Sequence, residues 1–284
     1  MGLFLIKGTF HVKGYEPDGD SIRFLADNLS NWDLLGPGRR SINARNHMQL
    51  RLEGIDALET HFQGGVEDHQ PLGLALQARD LLLAHLGITG VQVNGDGTAV
   101  TDANDNVPGY ILAKKKDDHG RPIAFVFPGT TSEPDGGNVF VTVDRLKESG
   151  NYRVVEEGLA YPFFFTQSGM FTDLRDAMTQ AVIDARANGK GLHPTDGTNV
   201  GVEITSSAVI ANQVPIYPRL FRRLAEFLVG STPVLDGFKA FLAASNTRVI
   251  VREPMSETGF DNLVEVEGQN VRMTERPENL VFIE

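Results

Sequence analysis

Five charged residues, spread over about a third of the chain, have the side-chain types that hydrolysis of a phosphodiester requires. Carboxylates supply hard oxygen ligands for a divalent cation and a further group that can act on water. Guanidiniums can bind a charged phosphoryl group through two parallel hydrogen bonds. The five residues are Asp20, Arg51, Asp56, Glu59 and Arg121. We interpret this set as the candidate centre of a metal-dependent nuclease.

Composition limits the classes of protein that this chain can belong to. Its 284 residues suffice for one large domain or two modest ones. The absence of cysteine excludes a disulfide framework, a thiolate metal site and a cysteine nucleophile. The formal net charge of -11 argues against broad wrapping of nucleic acid, because that affinity comes from lysine and arginine. A local basic cleft is compatible with this charge.

The N-terminal segment, residues 1–8, lacks the basic lead, the longer apolar stretch and the cleavage site of a secretory signal. No apolar run reaches the length that a membrane helix needs. We therefore expect a soluble, cytoplasmic protein that does not bind a membrane.

Three strands should position the first four of the five residues. Strands at Thr9–Lys13 and Ile22–Leu25 flank the turn Asp18-Gly19-Asp20, and a third strand covers His47–Ile55. Between the second and third strands, residues 28–46 predict a long polar loop. Taken alone, Asp18-Gly19-Asp20 is more typical of a hairpin turn than of a metal site.

The spacing of Arg51 and Asp56 has two interpretations. Strand parity places them on opposite faces, but Gly54 permits a bulge or a sharp strand end that turns both toward one site. Asp56 follows an apolar strand, where a carboxylate is costly unless a cation or hydrogen bonds compensate it. In the alternative, Arg51 and Glu53 form an exposed pair on one face and Asp56 caps a turn. Arg121, which follows a turn, can likewise be a solvated side chain.

Periodicity predicts the remaining elements. Helices are expected at Pro71–Leu86, Val143–Ser149, Phe171–Asn188, Tyr217–Val229 and Pro233–Ser245, the last with Thr232 as its cap. Strands are expected near Val91–Val93, Tyr110–Ala113, Ile123–Phe127, Val249–Val251, Leu263–Val266, Val271–Thr274 and Leu280–Ile283. The arginines of Arg219–Arg223 could face nucleic acid, but we expect a solvated face over an apolar stripe.

In this order, the motifs resemble the staphylococcal nuclease-like (thermonuclease) domains. The resemblance covers about residues 10–193, roughly two thirds of the chain. It implies an α+β fold with a five-stranded OB-type β-barrel and three packed helices. We expect this domain at residues 1–194 and a small C-terminal α+β extension at 195–284. The matching segments are Asp18–Arg23, Met48–Glu59, the helix after Pro71, Gly120–Phe125, Glu156–Tyr161 and Phe171–Gly191.

The resemblance also implies a role for each site residue. Asp20, Asp56 and the backbone carbonyl of Ala57 would be ligands of Ca²⁺, and Asp18 would act in the outer shell through water. Glu59 would position or deprotonate the attacking water. Arg51 and Arg121 would bind the phosphate and stabilise the transition state. The implied reaction expels the 5′ oxygen and leaves 3′-phosphate products.

The departures from the family concern the binding of substrate. Asp118 and His119 stand where the family has a lysine and a tyrosine that hold a phosphate. Phe164 replaces a tyrosine that packs on a base, so stacking is retained in principle without its hydroxyl. The loop 61–70 is acidic where the family tends to be basic, and its histidines do not have a metal-ligand spacing.

Two functions therefore compete. The first is a calcium-dependent endonuclease that cleaves single-stranded DNA or RNA. The alternative is a catalytically attenuated nuclease-like domain that binds nucleic acid or protein. The C-terminal extension could recruit a protein partner. The complete set of five charged residues favours the enzyme.

Overall fold

The computed structural model describes residues 2–229 and 234–284, and its chain forms two compact units whose segments alternate along the sequence. The first unit contains the residues up to Ile55, Ala78–Val154 and Ser168–Ala177. The second unit contains the remaining segments. The sequential division expected from the sequence, between residues 194 and 195, is a different one and stays a prediction.

The regular elements are numbered in chain order. The strands are β1 (Leu3–His11), β2 (Ser21–Ala26), β3 (Met48–Leu52), β4 (Ile55–Ala57), β5 (Gln92–Val93), β6 (Val100–Asp102), β7 (Val107–Lys116), β8 (Pro122–Pro128), β9 (Asn138–Val139), β10 (Ala160–Pro162), β11 (Phe164–Phe165), β12 (Val202–Glu203), β13 (Arg248–Val251), β14 (Ser256–Gly259), β15 (Val264–Glu267), β16 (Asn270–Met273) and β17 (Leu280–Phe282). The α-helices are α1 (Leu72–His85), α2 (Val143–Lys147), α3 (Gly150–Glu156), α4 (Thr172–Ala187), α5 (Ala208–Asn212), α6 (Pro218–Phe227) and α7 (Phe238–Ala244). Short 3-10 helices cover Leu29–Leu35, His193–Thr195, Phe260–Leu263 and Pro277–Asn279.

A closed barrel of five strands forms the core of the first unit. Around the barrel the order is β1, β2, β3, β8, β7 and back to β1, with β9 added beside β1. Only the β3–β8 pair among these is parallel. Alternate side chains point inward and fill the barrel, among them Phe10, Phe24 and Phe125. The predicted α+β fold with a five-stranded barrel is therefore confirmed.

The segment between β2 and β3 differs from the prediction. A polar loop was expected, but a 3-10 helix forms at Leu29–Leu35. The side chain of Asn28 accepts a hydrogen bond from the Ser30 amide and caps this helix. Trp32 is fully buried and packs edge-on against Phe24, with 6.3 Å between ring centroids. The burial of one aromatic side chain thus orders a segment that is otherwise polar.

The third predicted strand is interrupted where Gly54 was expected to end it. β3 stops at Leu52, and Gly54 has a φ of +79° before β4 begins. Glu53 is buried, and its carboxylate accepts a hydrogen bond of 2.9 Å from the Gly169 amide. The alternative in which Arg51 and Glu53 form an exposed pair is therefore wrong, whereas the strand end at Gly54 is confirmed.

The second unit has its own apolar core. It includes a mixed sheet in the order β11-β17-β13-β14 and an antiparallel sheet in the order β12-β16-β15. The apolar face of α6 packs into this core through residues such as Leu220, Phe221 and Leu224. The helix predicted from Pro233 is found as α7, while Thr232 and Pro233 themselves lie outside the described residues. Gly268 forms the predicted hairpin turn, with a φ of +60°.

Within residues 2–229 and 234–284, none of the helices has the length and apolar character required to cross a membrane.

A substitution at Gly54 should be more damaging than one at a matched glycine. Gly54 and Gly36 both have positive φ, +79° and +84°, so alanine costs about 1–2 kcal/mol at either position. At Gly54 alone, a Cβ atom would also lie 2.9 Å from Cε and 3.1 Å from Cγ of the buried Met170. We expect Gly54→Ala to lower the free energy of unfolding by about 1–3 kcal/mol more than Gly36→Ala. Urea denaturation measures both, and equal losses would contradict this account.

Candidate functional site

Three of the predicted residues lie on or directly before neighbouring strands of the first unit and are close together in register. Asp20 immediately precedes β2, and its carbonyl accepts a hydrogen bond of 2.8 Å from the Leu52 amide of β3. Arg51 of β3 is paired with Ser21 of β2. On its other side it is paired in parallel with Ile123 of β8, two residues after Arg121. The barrel register therefore brings one carboxylate-bearing and two guanidinium-bearing residues close together along adjacent strands.

The hairpin turn before β8 orients Arg121. Its Nε donates to Asp117 Oδ2 at 2.7 Å, and its amide donates to Asp117 Oδ1 at 2.8 Å. The turn requires Gly120, which has a φ of +80° and lies so close to Arg39 that a Cβ atom would be 2.6 Å from the Arg39 carbonyl oxygen. The alternative interpretation of Arg121 as a freely solvated side chain is therefore wrong. His119 is exposed on the same turn, with its amide bonded to Asp117.

The segment Asp18-Gly19-Asp20 forms the predicted turn. Asp18 makes a short antiparallel bridge with Ser21, and both Asp18 and Asp20 are half-buried. The turn interpretation is confirmed, and it leaves both aspartates at the start of β2. The role of Asp18 in the outer shell of an ion stays a prediction.

The other carboxylates of the set lie in the second unit, where a residue from the C-terminal region binds both. Asp56, in β4, has an exposed fraction of 0%. Arg222 of α6 donates from Nη2 to Asp56 Oδ2 at 2.7 Å and from Nη1 to Asp56 Oδ1 at 3.2 Å. The same Nη1 also donates to Oε1 of Glu59. One guanidinium thus forms a fork on Asp56 and a third contact with Glu59.

The electrostatics of this cluster keep Arg222 charged. Burial alone lowers the pKa of Arg222, but the negative charges of Asp56 and Glu59 outweigh that effect and leave the pKa above its ordinary value. The side chain of Arg222 is only 19% exposed, so solvent screens the cluster weakly. A protonated guanidinium is the cation that compensates the buried carboxylate of Asp56.

The loop that follows Glu59 holds α6 beside this cluster. The Gln70 amide donates to the Glu59 carbonyl at 2.9 Å, and Nε2 of Gln70 donates to the Ile216 carbonyl at 2.7 Å. The Val66 amide donates to the carbonyl of Ala225 in α6 at 3.0 Å. The acidic loop that the resemblance would place against substrate therefore packs on the protein's own helix.

Arg219, one turn before Arg222, is also withdrawn from solvent. Its guanidinium lies 4.4 Å from the ring centroid of Phe282. Burial lowers the pKa of Arg219 to about 10, which still leaves it protonated near neutral pH. The expectation of a solvated arginine face on this helix is therefore wrong for Arg219 and Arg222.

Phe164 is placed differently from what the resemblance implies. It lies in β11, paired in parallel with Val281 of β17, and its side chain is fully buried. A ring enclosed on both faces by protein cannot also stack on a base. Phe164 is therefore a core residue of the second unit in this packing.

Of the predicted calcium ligands, Asp56 is bound by a guanidinium in this packing. Ala57 remains in β4 next to Asp56, but a cation at Asp56 would lie against the positive charge of Arg222. Over the described part of the chain, histidine, aspartate and glutamate side chains form no group of three or more that could hold a metal. The acidic pair is instead neutralised from within the chain.

Arg222 is the residue that sequence reasoning missed. The available signal was the expectation that a carboxylate at Asp56 requires compensation. The arginine-rich face of α6 offered a donor, but nothing in the sequence linked it to a strand 166 residues away.

No model of a known protein family matches the chain, and no curated protein matches it. The interpretation of the site depends on its residues and their geometry.

Removal of the Arg222 guanidinium should destabilise the fold much more than removal of the Arg223 guanidinium. Arg222→Met removes the two-pronged hydrogen bond and the positive charge that Arg222 provides to the buried carboxylate of Asp56, which costs about 3–5 kcal/mol. Arg223→Met breaks a pair with Glu226 on the helix surface, 3.0 Å long and one third exposed, and should cost below about 1 kcal/mol. Denaturant unfolding of both variants measures the difference. A loss for Arg222→Met no larger than that for Arg223→Met would show that the buried pair is not required.

Proposed function

We propose that this chain is a phosphodiester hydrolase of the staphylococcal nuclease-like type, acting on single-stranded DNA or RNA. The observation that carries the proposal is the closeness of Asp20, Arg51 and Arg121 in the register of β2, β3 and β8. Two guanidinium groups at adjacent strand ends suit the recognition of a phosphate.

The barrel topology supports the same proposal. If the barrel strands are numbered one to five along the chain, their order is 1-2-3-5-4, closing on strand 1. We propose that this is the Greek-key arrangement of an OB-type barrel, an architecture that binds oligonucleotides on one face. Arg51 lies on the third of these strands, and Asp20 and Arg121 directly precede the second and the fifth.

The proposed reaction assigns a role to each side chain. Arg51 and Arg121 bind the phosphoryl oxygens and stabilise the charge that builds up in the transition state, and Asp117 orients Arg121. The resemblance implies that Glu59 would position the water that attacks phosphorus. A bond forms from the water oxygen to phosphorus, the bond to the 5′ oxygen breaks, and a proton passes to that oxygen. No step is assigned to calcium, because the carboxylate of Asp56 does not fit the ion in this packing.

A second candidate is a nuclease-like domain that binds nucleic acid without cleaving it. The specific observation that favours it is the contact of Arg222 with both Asp56 and Glu59. A glutamate oxygen that accepts a hydrogen bond from a guanidinium is occupied and is not available to bind the attacking water. We propose the residues from 195 onward as the surface for a protein partner in this case.

Loss of Arg121 should abolish cleavage, while loss of a matched arginine should not. Arg121 and Arg145 are similarly exposed, at 28% and 25%, and each is paired with a carboxylate. We expect Arg121→Ala to lower the rate of cleavage of labelled single-stranded DNA or RNA about 100-fold or more, because it removes a donor to the transition state. Arg145→Ala should leave the rate unchanged.

The cleavage assay should include calcium, a chelator, Arg51→Ala and Arg222→Gln. Equal rates for the wild type, Arg51→Ala and Arg121→Ala would contradict the proposed reaction. If neither the wild type nor Arg222→Gln cleaves, yet both bind the labelled strands, the binding domain is the correct function.

A further inference from the structure

We infer that Arg222 is an internal cation that closes the acidic pair Asp56 and Glu59, so that a divalent cation binds there only when the guanidinium is withdrawn or removed. The inference rests on the proposed function, because it identifies the acidic pair with that of the hydrolase. It makes α6 an autoinhibitory element of the chain's own second unit.

The guanidinium of Arg222 contacts both carboxylates of the acidic pair. Both oxygens of Asp56 accept hydrogen bonds from Arg222, which occupies the in-plane positions from which a carboxylate binds a cation. Glu59 accepts from the same Nη1 atom. One positive charge therefore serves two carboxylates, and a divalent ion at this position would be repelled by the guanidinium.

The carboxylate of Asp56 is fully buried, so its negative charge requires compensation at all times. Removing Arg222 without replacing it is unfavourable, and a cation that enters as the guanidinium leaves would restore the balance. A closed state with Arg222 and an open state with a bound ion are thus alternatives at the same carboxylates.

Packing against the preceding loop holds α6, and with it Arg222, in place. The helix is fastened by the Val66 amide at Ala225, by Gln70 at Ile216 and by the edge-on contact of Phe62 with Phe221, 6.1 Å between ring centroids. Gly65 lies so close to Ala225 that a Cβ atom would be 2.6 Å from the Ala225 Cβ. Because the guanidinium is tethered by this packing, it competes at a high effective concentration with any ion in solution.

The test measures calcium binding rather than cleavage. Thermal unfolding and calorimetric titration with calcium chloride are applied to the full chain as wild type, Arg222→Gln and Arg223→Gln. We expect calcium to leave the Tm of the wild type and of Arg223→Gln unchanged. Arg222→Gln should unfold at a lower temperature without calcium, and calcium should raise its Tm, since a ligand that binds only the folded state stabilises it.

Asp56→Asn in the Arg222→Gln background locates the bound ion. This second substitution should remove the calcium response if the ion is bound by the acidic pair. A calcium response that persists in the double variant, or none in a folded Arg222→Gln variant, would overturn the inference. A calcium affinity of the wild type within about threefold of that of Arg222→Gln would also overturn the inference. Competition by the tethered guanidinium should weaken calcium binding by about tenfold or more.

Arg222→Gln could fail to fold without an ion. In that case, recovery of the folded state on addition of calcium supports the inference, and failure to recover overturns it. The wild type and its Asp56→Asn variant provide an independent comparison. A calcium-induced rise of Tm in the wild type that disappears in Asp56→Asn would also overturn it.

Cleavage measured on the same samples separates this inference from the proposed function. If Arg222→Gln binds calcium at the acidic pair but neither it nor the wild type cleaves nucleic acid, the inference stands and the proposed function fails. If the wild type binds calcium as well as Arg222→Gln does and cleaves, the proposed function stands and the inference fails.

Discussion

The charge of Asp56 is the constraint on which the arrangement of the second unit depends. A carboxylate with no exposure to solvent must be compensated, and the compensation comes from a helix far along the chain. The position of Arg222 fixes the rotation of α6 about its axis, so that the arginine meets Asp56 while Leu220 and Leu224 enter the core. An apolar stripe alone would tolerate a wider range of rotations. The ion pair therefore adds directional specificity to packing that is otherwise hydrophobic.

The parts of the fold that follow from local pattern were predictable from the sequence. The second strand was predicted at Ile22–Leu25 and is found as β2, and Gly54 marks the strand end because few other residues adopt its φ of +79°. The first strand was predicted at Thr9–Lys13, but β1 covers Leu3–His11. The 3-10 helix at Leu29–Leu35 was not predicted. It depends on Trp32 packing against Phe24, a contact that becomes visible only when the barrel exists. Local signals identify elements, whereas the ordering of a polar segment by one aromatic residue is a tertiary effect.

The candidate site likewise has a part that the sequence predicts and a part that depends on tertiary contacts. The residues Asp20, Arg51 and Arg121 were grouped from the sequence by their types and by the order of their motifs, which resembles that of the staphylococcal nuclease-like domains. The need for a cation or hydrogen bonds at Asp56 was also predictable, since Asp56 follows an apolar strand. The identity of the cation was not. A metal ion and a guanidinium satisfy the same electrostatic requirement, and the choice between them depends on a helix 166 residues distant.

That choice has chemical consequences. A metal ion is exchangeable and retains positions for water and phosphate oxygens, so it can lower the pKa of a bound water. A guanidinium has only donors, is fixed to the backbone of α6 and brings no water for attack. With Arg222 in place, an oxygen of Glu59 is occupied by a guanidinium donor and is not free to bind water. In this structure the two carboxylates thus form an ion pair with Arg222, and α6 supplies the positive charge.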